Sequence, residues 1–176
     1  MAARFSFRWL IAGISALGLV SVGASGAFAQ STWTGSGANA NWTTSGNWTG
    51  GVPGTNGTVT LPGTPTGAKY TITLPGSPGT ASISSLTAAA GTTPYQLNTG
   101  VLNLVDGGSI INSRRNGATP GLQVNGTLNL AGSTATVGGA TGFTRLNNVT
   151  ASASGAVLTL TSGSTQIATS SGDVGL

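Results

Sequence analysis

The 176-residue sequence has no cysteine and no histidine. It has no glutamate either, and its only acids are Asp106 and Asp173. These absences exclude whole classes of chemistry. Without cysteine or histidine there is no disulfide framework and no thiolate or imidazole metal site. A Cys–His or Ser–His–Asp nucleophile is equally out of reach. A two-carboxylate glycosidase would have to use both aspartates. Lysine and arginine number only six, and charged residues are 5% of the chain.

The formal charge of +4 suggests a nucleic-acid partner, but its distribution argues against one. Arg4 and Arg8 lie in a leader described below. The rest carries Lys69, Arg114, Arg115 and Arg145 against two aspartates, a net of +2. A phosphate-tracking surface needs a patch of cations. Here only Arg114 and Arg115 are adjacent, and an Asn-Gly pair follows them, so they read as a solvated turn. No nucleic-acid partner is expected.

The first 29 residues read as an export signal. Arg4 and Arg8 make a basic start, and residues 9–22 (WLIAGISALGLVSV) are an apolar run of 14. Ala27-Phe28-Ala29 then supplies the small-x-small pattern, so cleavage is expected between Ala29 and Gln30. The run is short of the roughly 20 residues of a membrane span. No later apolar stretch is longer, so no integral membrane segment is expected after residue 29.

What the sequence does contain is glycine, threonine and serine, together 78 of the 176 residues. No window shows a convincing helical period, and the β-branched residues favour strands. Tyr70, Ile72 and Leu74 share one parity, as do Leu102 and Leu104, and Leu158 and Leu160. The clearest alternation is GLQVNGTLNLAG, where Leu122, Val124, Leu128 and Leu130 all fall on even positions. Each segment then buries one face and wets the other. Asn56-Gly57, Asn116-Gly117, Asn125-Gly126 and Asp106-Gly107-Gly108 punctuate the strands as turns. Asn125-Gly126 is either a hairpin turn or a corner between strands of a coil.

A loose repeat favours the coil. TGVLNLVDGGS (99–109), NGTLNLAGST (125–134) and SGAVLTLTSGS (154–164) share one form, with Leu104, Leu130 and Leu160 at 26- and 30-residue spacing. Such periods point to solenoids, in which each coil buries its apolar face only by stacking on a neighbour. The expected fold is therefore all-β: a β-solenoid, right-handed β-helix-like, with an irregular Trp-containing N-terminal cap. Residues 30–80, interrupted by Pro53, Pro62, Pro65, Pro75 and Pro78, form the cap and irregular first turns. Residues 81–176 form the strand-repeat region.

Beyond the leader only six aromatics remain, and Trp33, Trp42 and Trp48 crowd into 16 residues. As structure, they cover the open end of a first coil. As function, they make a sugar-stacking platform, with Asn41 and Asn47 bonding hydroxyls. One further asparagine role is set aside: the five Asn-x-Ser/Thr sequons, at Asn41, Asn47, Asn56, Asn125 and Asn148, are what a threonine-rich chain produces by chance.

The stretch STWTGSGANANWTTSGNWTGGVPGTNGTVTL resembles the start of the mature region in bacterial autotransporter-type passengers and other exported β-strand-repeat proteins. Trp33, Gly35, Trp42, Asn47, Trp48, Gly51 and Pro53 carry the resemblance. The later G-x-L-x-L segments look like that family's repeats, so the likeness covers about residues 31–165. It implies a structural or adhesive module at the surface of a Gram-negative-type bacterium or outside it, periplasmic in transit. Host or matrix glycans or proteins are the partners it implies, with no catalysis and no cofactor or metal. The family also carries a C-terminal outer-membrane barrel. The sequence stops at SSGDVGL, just after a repeat, so the expectation is a fragment of a longer product or a stand-alone one.

Two other functions compete. One is a carbohydrate-binding module using Trp33, Trp42 and Trp48. The other resembles β-helical polysaccharide lyases and hydrolases, which need clustered acids. Asp106 with Arg114 and Arg115 across a coil is the only grouping available for that.

Overall fold

The computed structural model describes residues 30–76, 79–116, 118–139 and 141–167. The leader up to Ala29 lies outside them, as do Asp173 and the side chains of Asp106 and Asn116. Strand β1 (Gln30–Trp33) is followed by a single 3-10 turn (Ser45–Asn47), β2 (Trp48–Thr49), β3 (Gly57–Leu61) and β4 (Thr71–Thr73). Next come β5 (Ala81–Ala88), β6 (Tyr95–Asn98), β7 (Val101–Asn112), β8 (Arg115–Asn116) and β9 (Thr119–Pro120). The chain continues through β10 (Leu122–Leu130), β11 (Thr134–Gly138), β12 (Phe143–Ala151), β13 (Val157–Leu160) and β14 (Ser164–Ile167).

These strands wind into a β-solenoid of about five turns. Parallel pairing joins each turn to the next, and the long strands bend at corners to serve two faces. The first face stacks β4, β6, the first part of β10, the first part of β12 and β14. The second stacks the start of β5, the start of β7, and the later parts of β10 and β12. The third stacks β1, β3, the end of β5, the end of β7, β11 and β13. Among the described residues no helix is long and apolar enough to cross a membrane.

Period-2 burial explains the core. On the first face Ile72, Leu97, Val124 and Leu146 stack in register, all with no exposed surface. On the second, Ile83, Leu104 and Leu130 stack likewise, all buried. On the third, Val59, Leu86, Ile110 and Val137 continue the pattern. The even residues Leu122, Val124, Leu128 and Leu130 all point inward, as alternation predicts. Each stacked pair removes apolar area from water on both partners, which is what a lone coil cannot do.

Asn125-Gly126 is a corner, not a hairpin. Strand β10 continues through it and bends there, with a register shift between Val124 and Thr127. Above it, Thr99 and Gly100 turn with φ of 51° and 64°. Gly126 is needed there because a Cβ would lie 2.4 Å from the Thr99 carbonyl oxygen.

The third repeat segment does not stack as its similarity suggests. Leu104 and Leu130 are neighbours on the second face, but the partner of Leu130 is Ala151. Leu160 stacks instead on Val137, on the third face. The strand motif recurs with each strand, not once per turn, so a look-alike segment can fall on another side of the coil.

Candidate functional site

Three places gather the side chains singled out by the sequence: the tryptophan end, the Arg114 interior and the groove beside β8 and β9.

At the N-terminal end the three tryptophans are buried, Trp33 at 0%, Trp42 at 2% and Trp48 at 6% exposure. Their rings meet edge to face, Trp33 with Trp48 at 4.9 Å and Trp42 with Trp48 at 4.8 Å, as the ring quadrupoles favour. The indole of Trp33 donates to the Lys69 carbonyl (2.8 Å) and that of Trp48 to the Trp42 carbonyl (2.6 Å). Strand β2 lies antiparallel along the outer edge of β1, pairing Trp33 with Trp48. Asn41 bridges to Thr73 at the top of the first face. The edge of the stack is thus paired rather than left open.

Asn47 organises this end. It is fully buried, its Oδ1 accepts from the Gly37 amide (2.8 Å), and its Nδ2 donates to the carbonyls of Asn39 (2.9 Å) and Asn41 (3.0 Å). Its own carbonyl accepts from the Thr34 amide. Asn41, by contrast, is exposed. The Asx-type bond in this loop is made by Asn39, whose Oδ1 accepts from the Asn41 amide (3.0 Å). Nearby, the Lys69 ammonium donates to the Gly37 carbonyl. Packed edge to face and nearly buried, the three indoles leave little ring surface open to solvent.

Arg114 is not in a solvated turn. It has no exposed surface, whereas its neighbour Arg115 is exposed. Its Nε donates to the Thr93 carbonyl (2.6 Å). One terminal nitrogen bonds the carbonyls of Pro62 (3.0 Å) and Ala89 (2.9 Å), the other that of Gly63 (2.6 Å). Tyr95 lies under the guanidinium, at 4.6 Å, and Tyr70 at 5.5 Å. Gly91 closes the other side, where a Cβ would lie 2.6 Å from the terminal nitrogen. Burial lowers the Arg114 pKa, with the two tyrosines opposing that shift. Burial likewise pushes the Tyr95 phenol well above its ordinary value, with Arg114 opposing. The Tyr95 hydroxyl donates to the same Pro62 carbonyl (3.1 Å).

Beneath Arg114, Asn112 is buried with both polar atoms of its side chain engaged. Its Nδ2 donates to the Phe143 carbonyl and the Thr144 hydroxyl, both at 3.0 Å, and its Oδ1 accepts from the Arg114 amide (2.9 Å). Asn112 did not stand out in the sequence, and Arg114 stood out only as half of an exposed arginine pair. The carbonyls that hold Arg114 lie 21 to 52 residues away along the chain, so no local pattern announces them.

The groove beside the antiparallel pair β8 and β9 is open, about 300 Å³, and lined by Arg115, Thr141, Phe143 and Ser164 among others. It holds one cation and, among its lining residues, no carboxylate or imidazole. General acid–base work needs a titrating pair within bonding reach, and the groove supplies none. Arg114, engaged by four carbonyls, is closed off from any partner. The grouping of Asp106 with Arg114 and Arg115 rests on the Asp106 side chain, which lies outside the described residues.

No protein-family model, curated protein or solved structure matches the chain.

Proposed function

We propose that this chain is an exported structural or adhesive module of the passenger type, displayed at or released from a Gram-negative-type cell surface, without catalytic activity. The observation that carries this reading is where the polar chemistry goes. Among the described residues, the interior cluster of Arg114 with Tyr95 and Tyr70 is spent on backbone carbonyls and ring faces. The asparagines of the outer surface bond one another from turn to turn. What remains outside is a coil surface rich in hydroxyls and amides, suited to contact over a length rather than to a reaction at a point. The leader-like first 29 residues and the W…W…NW…P opening support export and the passenger likeness. Host or matrix glycans or proteins are the partners this reading takes.

The test is expression of the whole chain behind its own leader in a Gram-negative host. Mass spectrometry should find Gln30 at the N-terminus, and cells displaying the chain should hold to glycan- or matrix-coated surfaces better than cells without it. Intact leader in the inner membrane, or hydrolysis of a polysaccharide by the purified chain, would refute the proposal.

A further inference from the structure

The three faces differ in what they do with their outward side chains. On the first face, Asn125 donates to Asn98 (2.7 Å) and Asn147 to Asn125 (2.8 Å). On the second, Asn129 donates to Asn103 (2.9 Å) and to Ser152 (3.1 Å), and Asn103 donates to Ser82 (3.2 Å). These amides satisfy one another. The third face carries hydroxyls instead. Pairing aligns Thr58, Ser85, Ser109, Thr136 and Thr159 in one outward row. A second row, two residues along each strand, runs through Thr32, Thr60 and Thr87 and continues at Ile111. Where it reaches Gly138, the Thr161 hydroxyl occupies the place a side chain would fill.

Among the described residues, the hydroxyls of Thr58, Ser85, Thr87, Ser109, Thr136 and Thr159 take no hydrogen-bond partner within the chain. The register is unbroken across this face, its shifts falling only at the corners near Gly57 and Ile83. The rungs are therefore spaced by the strand separation of about 4.8 Å, and the two rows by about 6.6 Å. No charged residue and no aromatic lies in either row.

We infer that this third face is an ice-binding surface. The inference goes beyond the adhesive reading above and adds a target of its own beside the glycans or proteins named there. An uncharged face selects an uncharged occupant, and a row of fixed, unpartnered hydroxyls selects one whose own oxygens repeat in step. Ice is a neutral lattice of hydrogen-bonded oxygens with repeats of comparable length in two directions. The threonine methyls between the hydroxyls add apolar contact that orders water further. Soluble sugars fit less well, because their recognition leans on exposed aromatic faces, and the aromatics here are not in these rows.

The experiment grows ice slowly from a solution of the full chain and measures how the protein divides between ice and liquid. Crystal shape and recrystallisation are followed in parallel. The wild-type chain should enter the ice and stop small crystals from coarsening. The double variant Thr87→Lys/Thr136→Lys should lose this while keeping the same circular dichroism. If the double variant fails to fold, Thr87→Lys alone, at an exposed position, should show the loss. Gln96→Lys, on the first face, should behave as wild type. Exclusion of the folded wild-type chain from ice would overturn the inference, as would equal loss in Gln96→Lys. Adsorption to crystalline cellulose without uptake by ice would do the same. Cells that adhere to coated surfaces while the chain ignores ice would leave the adhesive reading intact and remove only this target.

Discussion

Arg114 stands over the ring of Tyr95, its guanidinium carbon 4.6 Å from the ring centre, and both side chains bond the carbonyl of Pro62. The pair ties together four stretches of chain that pass the same corner of the coil. Arg114→Ala strips partners from the carbonyls of Thr93, Ala89 and Gly63 and is expected to cost roughly 3–5 kcal/mol, as when a buried charged network is broken. Arg114→Lys keeps the charge but has one point donor where a planar fork reached four carbonyls, so it should recover only part of the loss. Chemical denaturation of the three proteins measures the order. Wild-type stability in Arg114→Ala would show that the network is idle.

The dependence of stability on pH should be unusual. Histidine and glutamate are absent, and aspartates number two, so little titrates between about pH 5 and 9. Tyr95 works at the alkaline end. Unfolded, it ionises near its ordinary value of 10.0; folded, burial holds its proton to higher pH. Its contribution is full below the unfolded value. Above that, the unfolded chain gives up a proton that the native state retains, so stability falls as pH rises. Arg114, with its pKa lowered, acts in the opposite sense at the far alkaline end. Thermal melts should be flat from about pH 5 to 9 and decline above about 10, with Tyr95→Phe flattening the decline. A steep loss between pH 5 and 7 would contradict this.

The class of fold was legible because period-2 alternation is a local property. Leu122, Val124, Leu128 and Leu130 declare their face within nine residues. The tryptophan end was legible too, since three large rings in a short stretch need a common shelter. Arg114 was not. Its sequence neighbours are Asn, Ser and Arg, and everything that encloses it arrives from other turns. Leu160 misled for a related reason. Corners of unequal length let one motif serve two faces, and only the strand pairing tells Val137 from Leu130 as its neighbour.

Asn47 is the residue on which the tryptophan end should depend. Replacing it by alanine removes three hydrogen bonds and leaves the Gly37 amide and the carbonyls of Asn39 and Asn41 short of a partner. The expected cost is roughly 2–4 kcal/mol. Asn41→Ala removes an exposed side chain and should cost a few tenths at most. Tryptophan fluorescence distinguishes the two, because only Asn47→Ala should shift the emission to the red and admit a quencher. Equal responses would argue against Asn47 as the organiser.

Leu128 and Thr127 test the inward register. Leu128 has no exposed surface, so Leu128→Asp buries a charge without a counter-ion and should cost several kcal/mol. The Thr127 hydroxyl accepts from Asn148 on the outside (2.9 Å). A carboxylate at that place also accepts, so Thr127→Asp should cost about 1 kcal/mol or less. Urea midpoints of the two variants settle the comparison, and similar midpoints would be incompatible with the alternation.

The stacking of the last turn has a direct chemical test, helped by the absence of native cysteine. Thr136 and Thr159 are direct partners on the third face. Neighbouring parallel strands lie about 4.8 Å apart, within the roughly 4.4–6.8 Å between Cα atoms that a disulfide spans. Thr136→Cys/Thr159→Cys should therefore close under mild oxidation and raise the melting temperature. The alternative, in which Leu160 continues the row of Leu104 and Leu130, would set Thr159 beside Asn129. Asn129→Cys/Thr159→Cys is the matching control, and it should stay reduced because those residues belong to different faces. Oxidised and reduced forms separate by mass after alkylation. Closure of the control pair with an open Thr136→Cys/Thr159→Cys pair would move β13 to the second face and shorten the hydroxyl row by its last member.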